Sequence, residues 1–403
     1  PAWPAYIQSN TAPDDMVMSD YPGLNFYARR ATTPLAAGIS RGAASSGQIT
    51  GAALIREIEE YQVKMVLLNV AQGAHQFVRL RDYAAFKHYV QGHFTLAERR
   101  RYDYRLMEIY AQDDLWPGQR LDVVFGGQIK LTGLRWLAGS AAPGDQLQLA
   151  LRWQSLAPMP KDYRLTLRLL DEHGHLWGIG GKALVDVDKD TYWDEQGHER
   201  PVLVPTSRWP AGEATIEVFE LPVDVGTPPG RYSVELRLHE AGLWSGLPVL
   251  DAAGAPAGYD LRLAEATVLR APAPTALDRL PAMERVDSDL VPGLRLLGYS
   301  APQEELRPGD RLNLSTWWMA QGDGRADYRL RLSLADGQRV WAAADGELAG
   351  GALPTSAWRA GEVFRAQDDV IVDAETPAGE YELQIELLDH GEAKAVLSLC
   401  MVC

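Results

Sequence analysis

The sequence predicts a multidomain protein of the α/β plus all-β class, in which a small α/β domain precedes two tandem antiparallel β-sandwich domains related by internal duplication. Three observations predict this class. The first quarter alternates strand and helix signals, apolar residues recur at every second position from about residue 120, and the later part of the chain repeats itself. The 403 residues also fit two or three domains of ordinary size.

The first region, residues 1–115, predicts the small α/β domain. Val63–Val70 is a continuous apolar run, which is typical of a strand covered on both faces. Thr50 is a suitable N-cap for a helix in which Leu54 and Ile58 share one apolar face. The alternation of elements predicts a mostly parallel sheet.

The all-β part is predicted from strict alternation, as in Leu147, Leu149, Leu151 and Trp153. Such runs indicate strands with one buried face, and several of them separated by turn residues are typical of β-sandwiches.

An internal repeat indicates duplication. Trp153 precedes Trp318 by 165 residues, whereas Ala211-Gly212-Glu213 precedes Ala360-Gly361-Glu362 by 149. Because 165 minus 149 leaves 16, the first copy carries 16 additional residues between these blocks. We therefore predict one sandwich over 120–270 with an insertion at about 178–204, a Pro- and Ala-rich linker over 271–289, and a second sandwich over 290–403.

The charge balance excludes one class of partner. The net charge is −15, and it is uneven: residues 1–110 carry 12 basic against 10 acidic residues, a balance of +2, which leaves −17 for the remainder. Nucleic-acid binding needs clustered Lys and Arg, so a chain this acidic predicts no nucleic-acid partner.

The insertion contains a candidate metal site. Asp186, Asp188 and Asp190 have the spacing that begins a calcium loop, in which alternate oxygens converge on one hard cation. The turn glycine of such a loop is replaced by Thr191, and Gly197 stands where the last glutamate belongs. A solvated acidic loop is the alternative; otherwise we predict no cofactor.

The same insertion contains candidate glycan-binding residues, Tyr192, Trp193 and Asp194. Aromatic rings stack on the C–H face of a sugar and a carboxylate accepts hydrogen bonds from its hydroxyls. The alternative is that these rings pack onto the sandwich.

A second candidate ligand site lies in the α/β domain. Asp20 follows the first predicted strand, at the edge where α/β sheets place ligands, and Arg29 and Arg30 follow shortly after. Arginines here could face phosphate or lipid head groups, or they could be solubilising charges; Asp20 could instead satisfy amides at a helix start.

The sequence predicts no catalytic residues, because it has no G-x-S-x-G elbow and no Cys/His pair with a plausible site. Cys400 and Cys403 are the only cysteines, which excludes a disulfide scaffold. No run of about 18 apolar residues occurs, and the chain opens on Pro1, so we expect a processed product or a segment of something longer.

A family resemblance begins at Val17–Arg30 and continues through Pro34, Ser46–Thr50 and Val63–Leu68. These residues resemble the soluble region that follows the last membrane helix in certain bacterial GT-C-type membrane glycosyltransferases, of the dolichyl-phosphate-mannose-mannosyltransferase-like superfamily. The family's catalytic acid lies in the first extracytoplasmic loop, to which no position here corresponds.

The resemblance implies a non-catalytic, extracytoplasmic accessory region, at the cell surface or in the periplasm, that supports or positions a glycan acceptor. Its implied partners are a glycan or lipid-linked sugar acceptor and the membrane domain of the same parent protein. The alternative is a secreted or cell-surface carbohydrate-binding or structural β-sandwich protein.

Overall fold

A computed structural model describes the chain except residues 1, 71–75, 103–104, 113–114, 116–117, 194–198, 241, 244–245, 272, 302–305, 323–325 and 403. For residues 2, 100–102, 105, 186–193, 199–202 and 399–402 it describes the backbone alone. The protein is mostly β, with several antiparallel sheets and few helices. Within the described ranges, no helix is long and apolar enough to span a membrane.

Among the described residues, the α-helices all lie in the N-terminal region. They are α1 (Ala2–Asn10), α2 (Pro22–Ala28), α3 (Pro34–Ala37), α4 (Arg41–Ser46), α5 (Gly51–Glu60) and α6 (Tyr83–His93). Thr50 caps α5 as predicted, because its hydroxyl oxygen accepts a hydrogen bond from the Ala53 amide at 3.2 Å.

One four-stranded sheet runs through this region. Its strands are β1 (Val17–Ser19), β2 (Met65–Asn69), β3 (Thr95–Tyr102) and β4 (Arg105–Ala111), in the order β1-β2-β4-β3. Among these described strands only β1 and β2 pair in parallel, so the prediction of a mostly parallel sheet is wrong. Two residues separate β3 from β4, which is too short for the crossover that a parallel pair needs.

Both faces of β2 are covered, as the apolar run predicted. Met65 and Leu67 pack with α1 and α2, whereas Val66 and Leu68 pack with residues of α5 and α6. All four side chains are fully buried.

The first sandwich region, residues 119–268, contains two antiparallel sheets and a ribbon. Its strands are β5 (Gln119–Phe125), β6 (Ile129–Ala138), β7 (Ser140–Ala141), β8 (Gln146–Ser155), β9 (Tyr163–Leu170), β10 (Leu176–Ala183), β11 (Val185–Trp193), β12 (Glu199–Pro205), β13 (Ala214–Pro222), β14 (Gly230–Glu240) and β15 (Asp260–Val268). One sheet has the order β5-β6-β8-β13 and the other β10-β9-β14-β15, to which β7 adds a short parallel edge. Strands β11 and β12 pair as a separate two-stranded ribbon.

The second sandwich region, residues 284–402, contains two further sheets. Its strands are β16 (Glu284–Val291), β17 (Leu294–Ser300), β18 (Arg311–Ala320), β19 (Arg329–Ala335), β20 (Val340–Glu347), β21 (Val363–Ile371), β22 (Glu380–Asp389) and β23 (Glu392–Val402). The orders are β16-β17-β18-β21 and β20-β19-β22-β23. Because β16 begins at Glu284, six residues assigned to the linker from the sequence, 284–289, belong to a strand.

Each sandwich region has one core to which both of its sheets contribute, an arrangement consistent with a β-sandwich. Trp153 in the first and Trp318 in the second are fully buried there. The alternating run of β8 is buried as predicted, because its apolar residues face that core.

Candidate functional site

The two arginines predicted beside Asp20 have different surroundings. Arg30 binds the end of α1, since its guanidinium donates to the Thr11 hydroxyl at 2.9 Å and to the Thr11 carbonyl at 2.7 Å. Arg29 is exposed and ends α2 with a left-handed φ of 54°. Arg30 therefore has a structural role, and only Arg29 presents its charge to solvent.

Asp20 is buried directly after β1, and its negative charge acts on Tyr83 of α6. Tyr83 of that helix has a raised pKa, first because it is buried, and then because of the negative charges of Glu108, Asp20 and Glu213. The structure thus places Asp20 in a group of acidic and phenolic side chains, which the sequence did not indicate.

That group joins the N-terminal region to the first sandwich region. Glu108, 1% exposed, accepts hydrogen bonds from Arg99 at 3.0 Å and from the Tyr110 hydroxyl at 3.0 Å. Lys87 lies 3.6 Å from Glu108 and 3.5 Å from Glu213 of the sandwich. Arg99 is consequently committed to an internal ion pair and does not belong to an exposed basic patch.

The insertion is a β-ribbon in part. Residues 178–183 of the predicted insertion belong to β10, and the strands β11 and β12 follow them as a ribbon. Asp186, Asp188, Asp190, Tyr192 and Trp193 lie on β11, and only their backbone is described; Asp194 lies outside the described residues. The expected acidic loop is therefore a strand, with a register irregularity between Val187 and Thr191.

The calcium site stays a prediction. No group of three or more His, Cys, Asp or Glu suited to a metal occurs in the part of the chain whose side chains are described. The three aspartates of the D-x-D-x-D pattern are not in that part, so the finding does not bear on them.

A polar junction joins the two sandwich regions at Arg365 of β21. Its guanidinium, which is largely buried, donates to the Leu176 carbonyl at 2.6 Å and pairs with Asp224 at 3.2 Å. It also lies 4.5 Å from the centre of the Trp177 ring, a cation–π contact. The Arg365 amide donates to the Gly226 carbonyl at 2.8 Å, so both the backbone and the side chain of Arg365 bind the first sandwich region.

His175 lies between carboxylates of the two sandwich regions. Its Nδ1 is 3.1 Å from Asp171 and its Nε2 is 3.3 Å from Asp369 of β21. The hydrogen bond to Asp171 raises the pKa of His175, against the effect of burial, and both carboxylate charges add to the rise. Burial would raise the pKa of Asp171, but hydrogen bonds from His175 and from the Trp177 indole lower it to about 2.

A third contact between the regions is a buried ion pair. Arg270, just after β15, donates to both carboxylate oxygens of Glu362, at 2.6 and 2.7 Å. Burial would raise the pKa of Glu362, but the bonds from Arg270 and from the Arg359 amide outweigh it, and the pKa is lowered. The Glu362 side chain is 2% exposed whereas that of Arg270 is 26% exposed, so the carboxylate is the desolvated partner of this pair.

Sequence reasoning missed this junction. The sequence indicated Glu362 only as part of a repeated block, and nothing in it linked Leu176 or His175 to Arg365 and Asp369. Those residues lie about 190 positions from their partners in the chain, and no spacing rule connects them.

No protein-family model and no curated protein matches this sequence. A solved structure of a DUF4785 family protein from Legionella pneumophila is similar at 8% identity and a TM-score of 0.19, over 75% of this chain and 62% of that one. A glycosyl hydrolase family 2 member from Bacteroides cellulosilyticus is similar at 6% identity and a TM-score of 0.20, over 64% of this chain and 28% of that one. The chain thus spans less than two thirds of either protein, and TM-scores this low carry no argument about fold or function.

Proposed function

We propose that this chain is a non-catalytic, extracytoplasmic accessory region of a membrane glycosyltransferase, which supports or positions a glycan acceptor. The observation that carries the proposal is the ribbon of β11 and β12. It forms a sheet of its own among the described strands, and it carries Tyr192 next to Trp193 in an acidic segment. Adjacent aromatics with nearby carboxylates suit ring stacking on one side of a sugar and hydroxyl recognition on the other.

The test is glycan binding by the purified chain, measured by titration calorimetry with soluble oligosaccharides. Trp193→Ala should weaken binding about tenfold, as expected for a stacked aromatic anchor, and leave the melting temperature unchanged. Trp193→Tyr, which keeps a ring, is the matched control and should retain most of the affinity. If Trp193→Ala lowers the melting temperature by several degrees and no glycan binds, the ring is part of the core and the proposal is wrong.

The alternative, a free carbohydrate-binding or structural protein, predicts the same binding but no coupling to sugar transfer. Adding the purified chain, or its Trp193→Ala variant, to membranes that carry the parent enzyme without this region distinguishes the two. Accessory function predicts that transfer to the acceptor depends on Trp193, whereas a free binding protein leaves transfer unchanged.

We also infer that the two sandwich regions arose by internal duplication. The order β5-β6-β8-β13 corresponds to β16-β17-β18-β21, and β10-β9-β14-β15 corresponds to β20-β19-β22-β23. Three pairs of hydrogen bonds recur at corresponding positions of the two regions. The Trp209 indole donates to the Val204 carbonyl as the Trp358 indole donates to the Leu353 carbonyl, and the Trp177 indole donates to Asp171 as the Trp341 indole donates to Asp336. The Thr206 hydroxyl accepts from the Tyr163 amide as the Thr355 hydroxyl accepts from the Tyr328 amide. A crystal structure should superpose 125–268 on 290–399 with Trp153 on Trp318; unlike strand connections would refute the duplication.

A further inference from the structure

We propose that His175 forms a pH-dependent latch between the two sandwich regions, closed when its imidazole carries two protons. The latch is the set His175, Asp171 and Asp369. Asp171 and His175 belong to the turn between β9 and β10 of the first region, and Asp369 belongs to β21 of the second. One imidazole ring therefore connects two separately packed cores.

The geometry requires two donors on one ring. Nδ1 lies 3.1 Å from Asp171 Oδ2 and Nε2 lies 3.3 Å from Asp369 Oδ2, and an ionised carboxylate only accepts. A neutral imidazole has one N–H and can make one of these bonds, whereas imidazolium makes both. Losing one proton consequently breaks one of the bonds and leaves a nitrogen lone pair facing a carboxylate.

Other groups hold the two carboxylates in place when the ring is neutral. The Trp177 indole donates to Asp171 Oδ2 at 2.8 Å, and Asp171 Oδ1 accepts from the His173 and His175 amides. On the other side, Arg311 donates to Asp369 Oδ2 at 3.0 Å and Asn313 donates to Oδ1 at 2.9 Å. Deprotonation should therefore loosen the junction without unfolding either sandwich region.

The remaining neighbours are an acid and a second histidine. Asp368, next to Asp369 on β21, has its pKa raised to about 6 by burial, with the charge of His175 opposing the rise and that of Asp369 adding to it. The ring of His173 lies 6.0 Å from that of His175, and its side chain is 71% exposed. Arg365 stands on the same strand and keeps its charge at any pH of interest.

The direction of the pH effect follows from these shifts. His175 has a raised pKa in the folded protein, so its stabilisation is complete below its ordinary value of 6.5 and is lost as pH rises through the raised value. Asp368 also has a raised pKa, so its contribution is lost earlier, between 3.8 and about 6. Both effects weaken the junction as pH rises, and the effect of His175 extends to the higher pH of the two.

The experiment follows thermal unfolding of the purified chain by calorimetry from about pH 6.5 to 8.5. For the wild type, the melting temperature of the sandwich regions should fall across this range by about 2 °C or more. His175→Gln should flatten that dependence, while His173→Gln, which removes the exposed neighbour, should preserve it. Small-angle scattering on the same samples should show that the wild type, and not His175→Gln, expands at the higher pH.

The proposal is overturned if the wild type and His175→Gln follow the same pH profile, or if His173→Gln flattens it as much. Should His175→Gln fail to fold, Asp369→Asn provides the same test, because it removes the carboxylate of the second region while the ring stays. An unaltered profile in Asp369→Asn then refutes the latch.

Discussion

The two sandwich regions use corresponding strands, β13 and β21, to contact the part of the chain that precedes each of them. At positions 149 apart, Glu213 pairs with Lys87 of the N-terminal region, and Glu362 pairs with Arg270 at the end of the first sandwich region. Both glutamates directly precede their strands, and three residues further along, within β13 and β21, the chemistry differs. Ile216 packs against the two cores of the N-terminal region, whereas Arg365 inserts between the sandwich regions.

This difference shows how two strands at the same position in their sheet orders can form two kinds of junction. Apolar contact at Ile216 stabilises the first junction, and the Glu213 side chain there remains 25% exposed, so its pair with Lys87 is worth little. At the second junction Glu362 and Arg365 are both desolvated. Truncating one partner there leaves an uncompensated buried charge, which costs far more than losing an exposed pair.

The largest expected effect concerns the two Asp–Trp turns. Trp177 and Trp341 each donate an indole hydrogen bond at 2.8 Å to the aspartate of their turn, but Trp177 is 2% exposed beneath Arg365, while Trp341 is partly in water beside Arg339. Trp177→Ala should lower the free energy of unfolding by about 3–5 kcal/mol, since it empties a packed site.

Trp341→Ala should lower it by a small fraction of that amount, because the ring already contacts solvent. Chemical denaturation of Trp177→Ala and Trp341→Ala measures both losses of stability. Equal losses would mean that the second sandwich region does not cover Trp177 in solution, and the comparison between the junctions would fail.

The second prediction compares the paired glutamates. Glu362→Gln should lower the free energy of unfolding by about 2 kcal/mol, because one carboxylate oxygen that accepts from Arg270 or the Arg359 amide becomes an NH2 group, which donates. Glu213→Gln should cost less than about 1 kcal/mol, as for other partly exposed pairs. Urea denaturation at about pH 7 measures both.

Lowering the pH tests whether the charge of Glu362 is the source of this stabilisation. The pKa of Glu362 is lowered from 4.5, so its contribution is present above 4.5 and is lost as pH falls through the lower folded value. The difference between the wild type and Glu362→Gln should accordingly shrink as pH falls below 4.5. A difference that stays constant would show that the carboxylate charge does not stabilise this junction.

Local features of the fold were predictable because the signals are local. The alternation in β8 and the Thr50 cap each depend on a few neighbouring residues, and the structure confirms both. The mostly parallel sheet was predicted wrongly because the alternation of signals suggested helical crossovers, whereas the basic run Arg99–Arg101 belongs to a strand, β3, that pairs directly with β4. Arg99 is accommodated there by the buried carboxylate of Glu108, which the sequence does not place opposite it.

The junction residues could not be predicted for a related reason. Arg365 stands on a strand beside other polar residues, and His175 lies in a turn, where each has the sequence context of a surface side chain. Their burial depends on how one sandwich region sits against the other. That arrangement is set by contacts between residues nearly 190 positions apart, and hydrophobic periodicity carries no information about them.

The smallest expected effect tests whether corresponding turns stabilise the two sandwich regions equally at positions outside the junctions. The Tyr232 hydroxyl donates to the Pro228 carbonyl, and the Tyr381 hydroxyl donates to the Pro377 carbonyl, four residues upstream in each case. Tyr232→Phe and Tyr381→Phe should each lower the free energy of unfolding by about 1 kcal/mol, the net worth of one buried hydrogen bond. Tyr259→Phe, at an exposed site, is the control and should change nothing measurable. Calorimetry of the three variants measures these losses of stability. If the losses for Tyr232→Phe and Tyr381→Phe differ by more than about 0.5 kcal/mol, the two turns do not stabilise their sandwich regions equally, and the similarity of the regions is limited to the backbone.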